Sequence, residues 1–254
     1  TTGITNLYLE ITDVDATDNN DATLTLSDVD ATAIHLSDRK TVAAADDLAA
    51  LVIGGASQDL TVKGYDFVGA TVAAALTVTD VDSLTVTSYT DTTLVAVGDT
   101  KFGAVTADDA DTVTATVASS SAALGGETLT LASLSADGAT AIALNAGSNN
   151  TLAITAGVAS TSDALDTLTL TVSDDGTLTA ADIDSTNGDL SSVAISLGVN
   201  STLTVTNELD VAEATAGTIT VGAASTLTMS DLIIGGAATT ITGTASSAVD
   251  IDTY

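Results

Sequence analysis

"TLTVTNELDVAEATAGTITVGAASTLTM", residues 202–229, opens with Thr-Leu-Thr and returns to Thr-Leu-Thr 24 residues later. Alternation of a β-former with small polar residues is the period-two pattern of a strand that has one buried face. In each Thr-Leu-Thr the leucine points inward and both threonines outward. The return therefore predicts one coil of a stacked structure, with a Leu ladder inside and Thr ladders outside.

The same return runs along the chain in two series. One centres on Leu24, Leu51, Leu76, Phe102, Leu129, Leu152, Leu178, Leu203 and Leu227, with separations of 23 to 27 residues. The other centres on Leu7, Ile34, Leu60, Leu84, Val113, Ile142, Leu168, Val193, Ile219 and Ile241, with separations of 22 to 29. A period near 25 residues held throughout predicts an all-β fold, a single parallel β-solenoid (β-helix) of about nine coils. With coils about 4.8 Å apart, such a stack is roughly 43 Å long. The arc from the first series to the second lengthens from 8–11 residues to 13–16. This predicts one domain over 1–254 with a change of strand register near residue 130.

Turn chemistry agrees. Gly-Gly at 54–55, 125–126 and 235–236, "NAGSNN" at 145–150, "SDDG" at 173–176 and "STNGD" at 185–189 read as loops. No proline interrupts a strand, as central strands require. One segment competes: "TVAAADDLAALV" at 41–52 also reads as a short helix.

Composition narrows the function. Hydrophobic residues make up 45 % but aromatics only 2 %, without tryptophan. The core is therefore thin and built from Leu, Val, Ile and Ala, which suits flattened coils. Net charge is −30, with Arg39, Lys40, Lys63 and Lys101 the only cations besides His35. Nucleic-acid binding needs clustered Lys and Arg, so that partner class is excluded, and an anionic membrane surface is disfavoured. No apolar run reaches the length of a spanning helix, and the aromatic girdles of a membrane barrel are missing, so membrane insertion is not expected. Cysteine is absent, which removes disulfides and thiolate metal sites. The opening "TTGITNLYLEI" lacks a basic signal-peptide region, which suits a mature N-terminus after cleavage or a trimmed chain.

The most specific local motif is Asp-aliphatic-Asp: Asp13/Asp15, Asp28/Asp30, Asp80/Asp82, Asp182/Asp184 and Asp250/Asp252. Asp28, Asp80 and Asp182 are expected at matching corners, with Val29, Val81 and Ile183 inward and paired carboxylates outward. Hard oxygens so placed suit Ca²⁺ as a structural cofactor. They also suit a solvated acidic corner that blocks unwanted edge pairing. A second feature is the Thr-x-Thr array at 128/130, 177/179, 202/204 and 226/228, broken at Thr151/Ala153. It resembles the ice-contacting faces of β-solenoid antifreeze proteins, and equally reflects threonine's fitness for an outward strand position.

Catalysis finds little support. His35 is the only histidine, so neither a Ser-His-Asp triad nor a conventional zinc site can be assembled. The carboxylate pairs Asp46–Asp47, Asp108–Asp109 and Asp174–Asp175 read as turn residues rather than as a glycosidase pair. An enzyme is not expected.

Both ends of the chain read as strand, "NLYLEITDVD" at one and "TITGTASSAVDIDTY" at the other. Open parallel edges invite copies of the same chain in a head-to-tail contact that does not close. Asp13/Asp15 and Asp250/Asp252 lie near opposite ends, where a cation would bridge the junction.

The Thr/Ala/Asp/Gly/Val-rich, cysteine-free text, with "TLTVTN", "TLTLASLSADGA" and "TDVD", resembles bacterial surface-layer and related secreted β-solenoid proteins. That resemblance implies calcium-dependent self-assembly outside the cell, often after type I secretion. The Gly-Gly-x-Gly-x-Asp nonapeptide of calcium-binding RTX solenoids is absent, so no binding residue carries over from it. The expectation is an extracellular or cell-surface structural subunit that self-assembles head-to-tail into a filament or surface layer with calcium. Its alternatives are a spacer or adhesin segment of a larger surface protein, and an ice-binding solenoid.

Overall fold

The computed structural model describes residues 4–11, 22–38, 48–55, 58–65, 75–88, 100–118, 126–160, 165–184, 190–212, 214–234 and 239–253. Among the described residues twenty strands alternate between two sheets of ten, and every pairing is parallel. The first sheet begins with β1 (Ile4–Ile11), β3 (Ala31–Asp38), β5 (Asp59–Tyr65), β7 (Ser83–Ser88) and β9 (Thr112–Val117). It continues through β11 (Ala141–Ala146), β13 (Thr167–Val172), β15 (Ser192–Leu197), β17 (Gly217–Val221) and β19 (Thr239–Gly243). The second sheet begins with β2 (Ala22–Val29), β4 (Leu48–Gly55), β6 (Ala75–Thr79), β8 (Thr100–Thr106) and β10 (Thr128–Ser135). It ends with β12 (Thr151–Ala159), β14 (Thr177–Asp184), β16 (Thr202–Val211), β18 (Thr226–Ile234) and β20 (Ala248–Thr253). This is a parallel β-solenoid with a period near 25 residues. Residues 48–52 of the competing helix lie in β4, and 41–47 lie outside the described residues.

The first sheet carries one unbroken internal ladder. Leu7, Ile34, Val62, Val86, Ala115, Leu144, Leu170, Ile195, Ile219 and Ile241 face one another in turn. From Ile34 to Ile219 every member is buried. The expected second series follows this ladder with two slips: Ile34 faces Val62 rather than Leu60, and Val193 faces Gly217 while Ile195 meets Ile219. A slip of two residues keeps every side chain on its own face, so alternation alone does not detect it.

The second sheet corrects the first series more deeply. Leu76 faces Val105, and Phe102 faces Leu131. Apart from Phe102, the series is therefore two ladders. One runs Leu24, Leu51, Leu76, Val105, Leu134, Val158, Ile183, Leu209 and Leu232. The other runs Leu129, Leu152, Leu178, Leu203, Leu227 and Val249. From β10 onward to β18 each strand has two arms joined at a register shift, near Leu131–Ser133, Ile154–Val158, Ala180–Asp182 and Val205–Glu208. Such a bulge adds residues, bends the strand and lets both arms keep an inward leucine-type face. In the opening stretch, "TLTV" is one arm of β16, Thr206 and Asn207 are its exposed bulge, and "ELDV" is the other arm.

Four-residue turns stack between the sheets: Gly147–Asn150, Ser173–Gly176, Gly198–Ser201, Gly222–Ser225 and Thr244–Ser247. In each, the third residue is left-handed: Asn149 (φ 62°), Asp175 (φ 58°), Asn200 (φ 55°), Ala224 (φ 56°) and Ser246 (φ 62°). Asn and Asp tolerate this conformation better than other L-residues. Amides link successive turns, with Asp175 N donating to Val199 O at 2.9 Å and Asn200 N to Ala223 O at 3.0 Å. "NAGSNN" and "SDDG" are thus turns as read, while "STNGD" and the Gly-Gly at 235–236 lie outside the described residues. Gly54 and Gly55 end β4 instead of forming a separate loop, and Gly126 lies two residues before β10, its partner Gly125 being outside the described residues.

Candidate functional site

The Asp-aliphatic-Asp motifs divide into two kinds of place. Asp28 and Asp80 are the corner residues that close β2 and β6, both left-handed with φ of 53° and 56°. Val81 is buried, Val29 packs against the core, and Asp28, Asp30, Asp80 and Asp82 are exposed. The inward aliphatic and outward carboxylates follow the alternation. Between the two corners lies the Gly54–Gly55 rung, where a Cβ on Gly55 would stand 2.8 Å from Asp80 O. Asp28 and Asp80 are thus two rungs apart, about 10 Å at ordinary strand spacing, too far to share one ion. Their backbone conformation supplies a structural reason for aspartate at each corner.

Asp182 and Asp184 occupy a different place. They lie within β14, where Ile183 is in the ladder of Leu76 and not at the position of Val81. The expectation that Asp182 matches Asp28 and Asp80 is therefore corrected: the first series had jumped from one ladder to the other. Asp13 and Asp15 lie outside the described residues. Asp250 and Asp252 are exposed on β20, on the last rung, with Ile251 packed against the core between them.

What the structure adds is an acidic ladder on the outer face of the second arms. Asp182 faces Glu208, which faces Asp231; Asp184 faces Asp210. Like charges directly opposite on neighbouring strands are unfavourable. Partial shielding from solvent, and then Asp210, Asp231, Asp184 and Asp182, raise the Glu208 pKa above the ordinary glutamate value. Neutral donors enter the ladder, Asn207 Nδ2 to Asp182 Oδ2 at 3.1 Å and Ala212 N to Asp210 Oδ1 at 3.1 Å. The ladder was legible only as spacing: 182, 208 and 231 repeat at near the coil period. It was hidden because the arm carrying it was merged with the Thr-Leu-Thr arm.

Among the described residues no three His, Cys, Asp or Glu side chains converge as a metal cage. A cation along these outward carboxylates would screen their mutual repulsion.

His35 is held rather than poised. Its Nε2 lies 2.9 Å from Asn6 Oδ1, and its ring stacks on Tyr8 at 4.4 Å and 14°. Nδ1 is buried without a hydrogen-bond partner. Burial and then Lys63, its neighbour on the next rung, lower the His35 pKa. Asp108–Asp109 and Asp174–Asp175 sit in turns, with Asp174 Oδ1 accepting from Val199 N at 2.7 Å; Asp46 and Asp47 lie outside the described residues.

The threonine array is in register. Thr128, Thr151, Thr177, Thr202 and Thr226 face one another, as do Thr130, Ala153, Thr179, Thr204 and Thr228. Threonine also lines the first sheet at Thr167, Thr169 and Thr171, so it is not confined to one face. No helix is long and apolar enough to cross a membrane among the described residues. No protein-family model, curated protein or solved structure matches this chain.

Proposed function

We propose that the chain is an extracellular structural subunit that assembles head-to-tail into a filament or surface layer, with calcium screening its carboxylates. One observation carries the reading. The core ladders surface at the outermost described rung: Ile219 and Leu227 are fully buried, while their next-rung neighbours Ile241 and Val249 are 44 % and 42 % exposed. At the other described edge, on β1, Ile4 is 54 % exposed, and Tyr8, on the face opposite Leu7, is 71 % exposed. Open parallel edges that end in apolar side chains are templates for another strand. Calcium enters because two copies of net charge −30 repel each other unless cations intervene.

Negative-stain electron microscopy of the purified chain in EDTA and then in millimolar Ca²⁺ tests both parts. Ordered fibres or sheets appearing with calcium are the expected result. Polymers in both conditions would keep the subunit and remove calcium as the trigger. Short single rods in both would overturn the reading in favour of a spacer segment. Substituting Asp250→Asn and Asp252→Asn tests the bridging role: calcium-dependent assembly that is unchanged by the pair would place the cation elsewhere.

A further inference from the structure

We infer that the outer face of the first sheet, from β9 to β19, is a surface on which a second copy of this chain packs face to face, about a two-fold axis between β13 and β15. This contact lies across the flat of the sheet and stands apart from head-to-tail stacking. Its first support is charge. From β9 to β19 every outward side chain of the first sheet is threonine, alanine, serine or asparagine, and none of them is buried. A chain of net charge −30 meets its own copy most readily where neither copy brings a carboxylate, and charged residues are depleted from the centres of interfaces. Two rungs before β9 the same columns carry Asp59 and Lys63. The second sheet offers no equivalent face, because its threonine arms continue into Asp182, Glu208 and Asp231 on the same strands.

The second support is relief. The central outward column runs Thr114, Ala143, Thr169, Ala194, Thr218 and Thr240, residues that face one another in turn. The positions beside it follow: β9 and β13 present only threonine outward, β11 and β15 only alanine, serine or asparagine. Ridges and troughs therefore alternate from β9 to β17, repeating every two rungs, about 10 Å. Such a face is complementary to itself. The two-fold axis sets Thr169 of each copy opposite Ala194 of the other, and Thr218 opposite Ala143, so that large meets small as in an interdigitated core. Only at the margins do threonines meet, Thr114 with Thr240. The same operation brings the exposed flanking carboxylates Asp111 and Asp166 opposite Thr244 and Gly198, and Asp174 opposite Ser191, instead of opposite one another. Six rungs about 4.8 Å apart, on strands about 20 Å long, give a footprint of roughly 1,100 Å² over both copies, which clears the size expected of a biological contact. The contact is isologous and closes as a dimer.

Sedimentation equilibrium in EDTA and physiological salt, where screening shortens the reach of the net charge, tests the contact. The unaltered chain should form a dimer that dissociates on dilution. Ala143→Lys with Ala194→Lys should weaken it at least about hundredfold, since charge is then forced into the packed centre. Lysine lowers the net negative charge, so that loss reports the face and not added repulsion. Thr204→Lys, at a like outward position on the second sheet, should leave the dimer as it was. Ala143→Thr with Ala194→Thr fills both troughs while keeping a good strand residue, and should weaken the dimer about tenfold. The urea midpoint of the monomer should change little in each variant, as all these positions point outward. A chain that stays monomeric at about 100 µM would overturn the inference, since specific contacts of standard size bind more tightly than that. A dimer indifferent to either alanine pair, or weakened as much by Thr204→Lys, would overturn it too. End-to-end polymers seen by electron microscopy without the dimer would remove this contact and leave the structural-subunit reading standing.

Discussion

At the residue scale, the turn stack shows how local chemistry is selected one backbone angle at a time. Asn149, Asp175 and Asn200 occupy left-handed positions that their short polar side chains tolerate, but the same slot on the next rung holds Ala224 with φ 56°. A left-handed alanine costs roughly 1–2 kcal/mol relative to a right-handed conformation, and Ala224 is exposed. Ala224→Asn should therefore stabilise the fold by about 0.5–1 kcal/mol, read as a higher midpoint in urea. The reverse case is Gly157, at the bulge of β12, with φ +137° and room for a Cβ only 2.9 Å from Asp182 O. Gly157→Ala should destabilise by about 1–3 kcal/mol in the same assay. His35 contributes a pH dependence whose sign follows from its lowered pKa. The unfolded chain takes up the proton more readily, so stability is full above the ordinary histidine value of 6.5 and declines as pH falls through and below it. Urea midpoints across that range should slope downward toward acid, and the slope near pH 6 should flatten in His35→Gln.

At the element scale, the two-armed strands explain both the success and the failure of pattern reading. Each arm alternates, so "TLTV" reads as strand, while "ELDV", which alternates in the same way, has no place in either series. Yet nothing in either arm says which arm of the neighbouring coil it meets. Pairing is settled by the bulge, whose exposed Thr206 and Asn207 look like ordinary polar residues in the text. The acidic ladder follows from that pairing, because Asp182, Glu208 and Asp231 become neighbours only once the second arms align. Its titration runs opposite to that of His35. Glu208 has a raised pKa, so the stability linked to its protonated form is present below the ordinary glutamate value of 4.5 and is lost as pH rises through the folded-state pKa. Glu208→Gln should therefore raise the urea midpoint at pH 7 and change it little at pH 4. Added salt should shrink the pH 7 difference, since exposed like charges are screened.

For the whole molecule, stability is distributed along a stack in which each rung touches its neighbours. Leu144, in the middle of the unbroken ladder, is fully buried, whereas Ile241 at its end is not. Leu144→Ala should cost about 2–5 kcal/mol, while Ile241→Ala should cost much less. Calorimetry or urea denaturation of the two variants would show whether the ladder behaves as described. Similar losses at both positions would mean that the rung of Ile241 is covered in solution.

The sequence by itself determined the architecture, because a 25-residue return and period-two alternation admit few structures other than stacked parallel coils. It also determined which side chains face inward, since a strand's two faces alternate whatever strand lies beside it. Only the tertiary structure decided register. Leu76 meets Val105 instead of Phe102, and Asp182 leaves the corner for an acidic ladder. Those choices depend on contacts between residues a full coil apart. Several of the competing registers bury the same kinds of aliphatic side chain on the same face, so the pattern in the chain does not distinguish them.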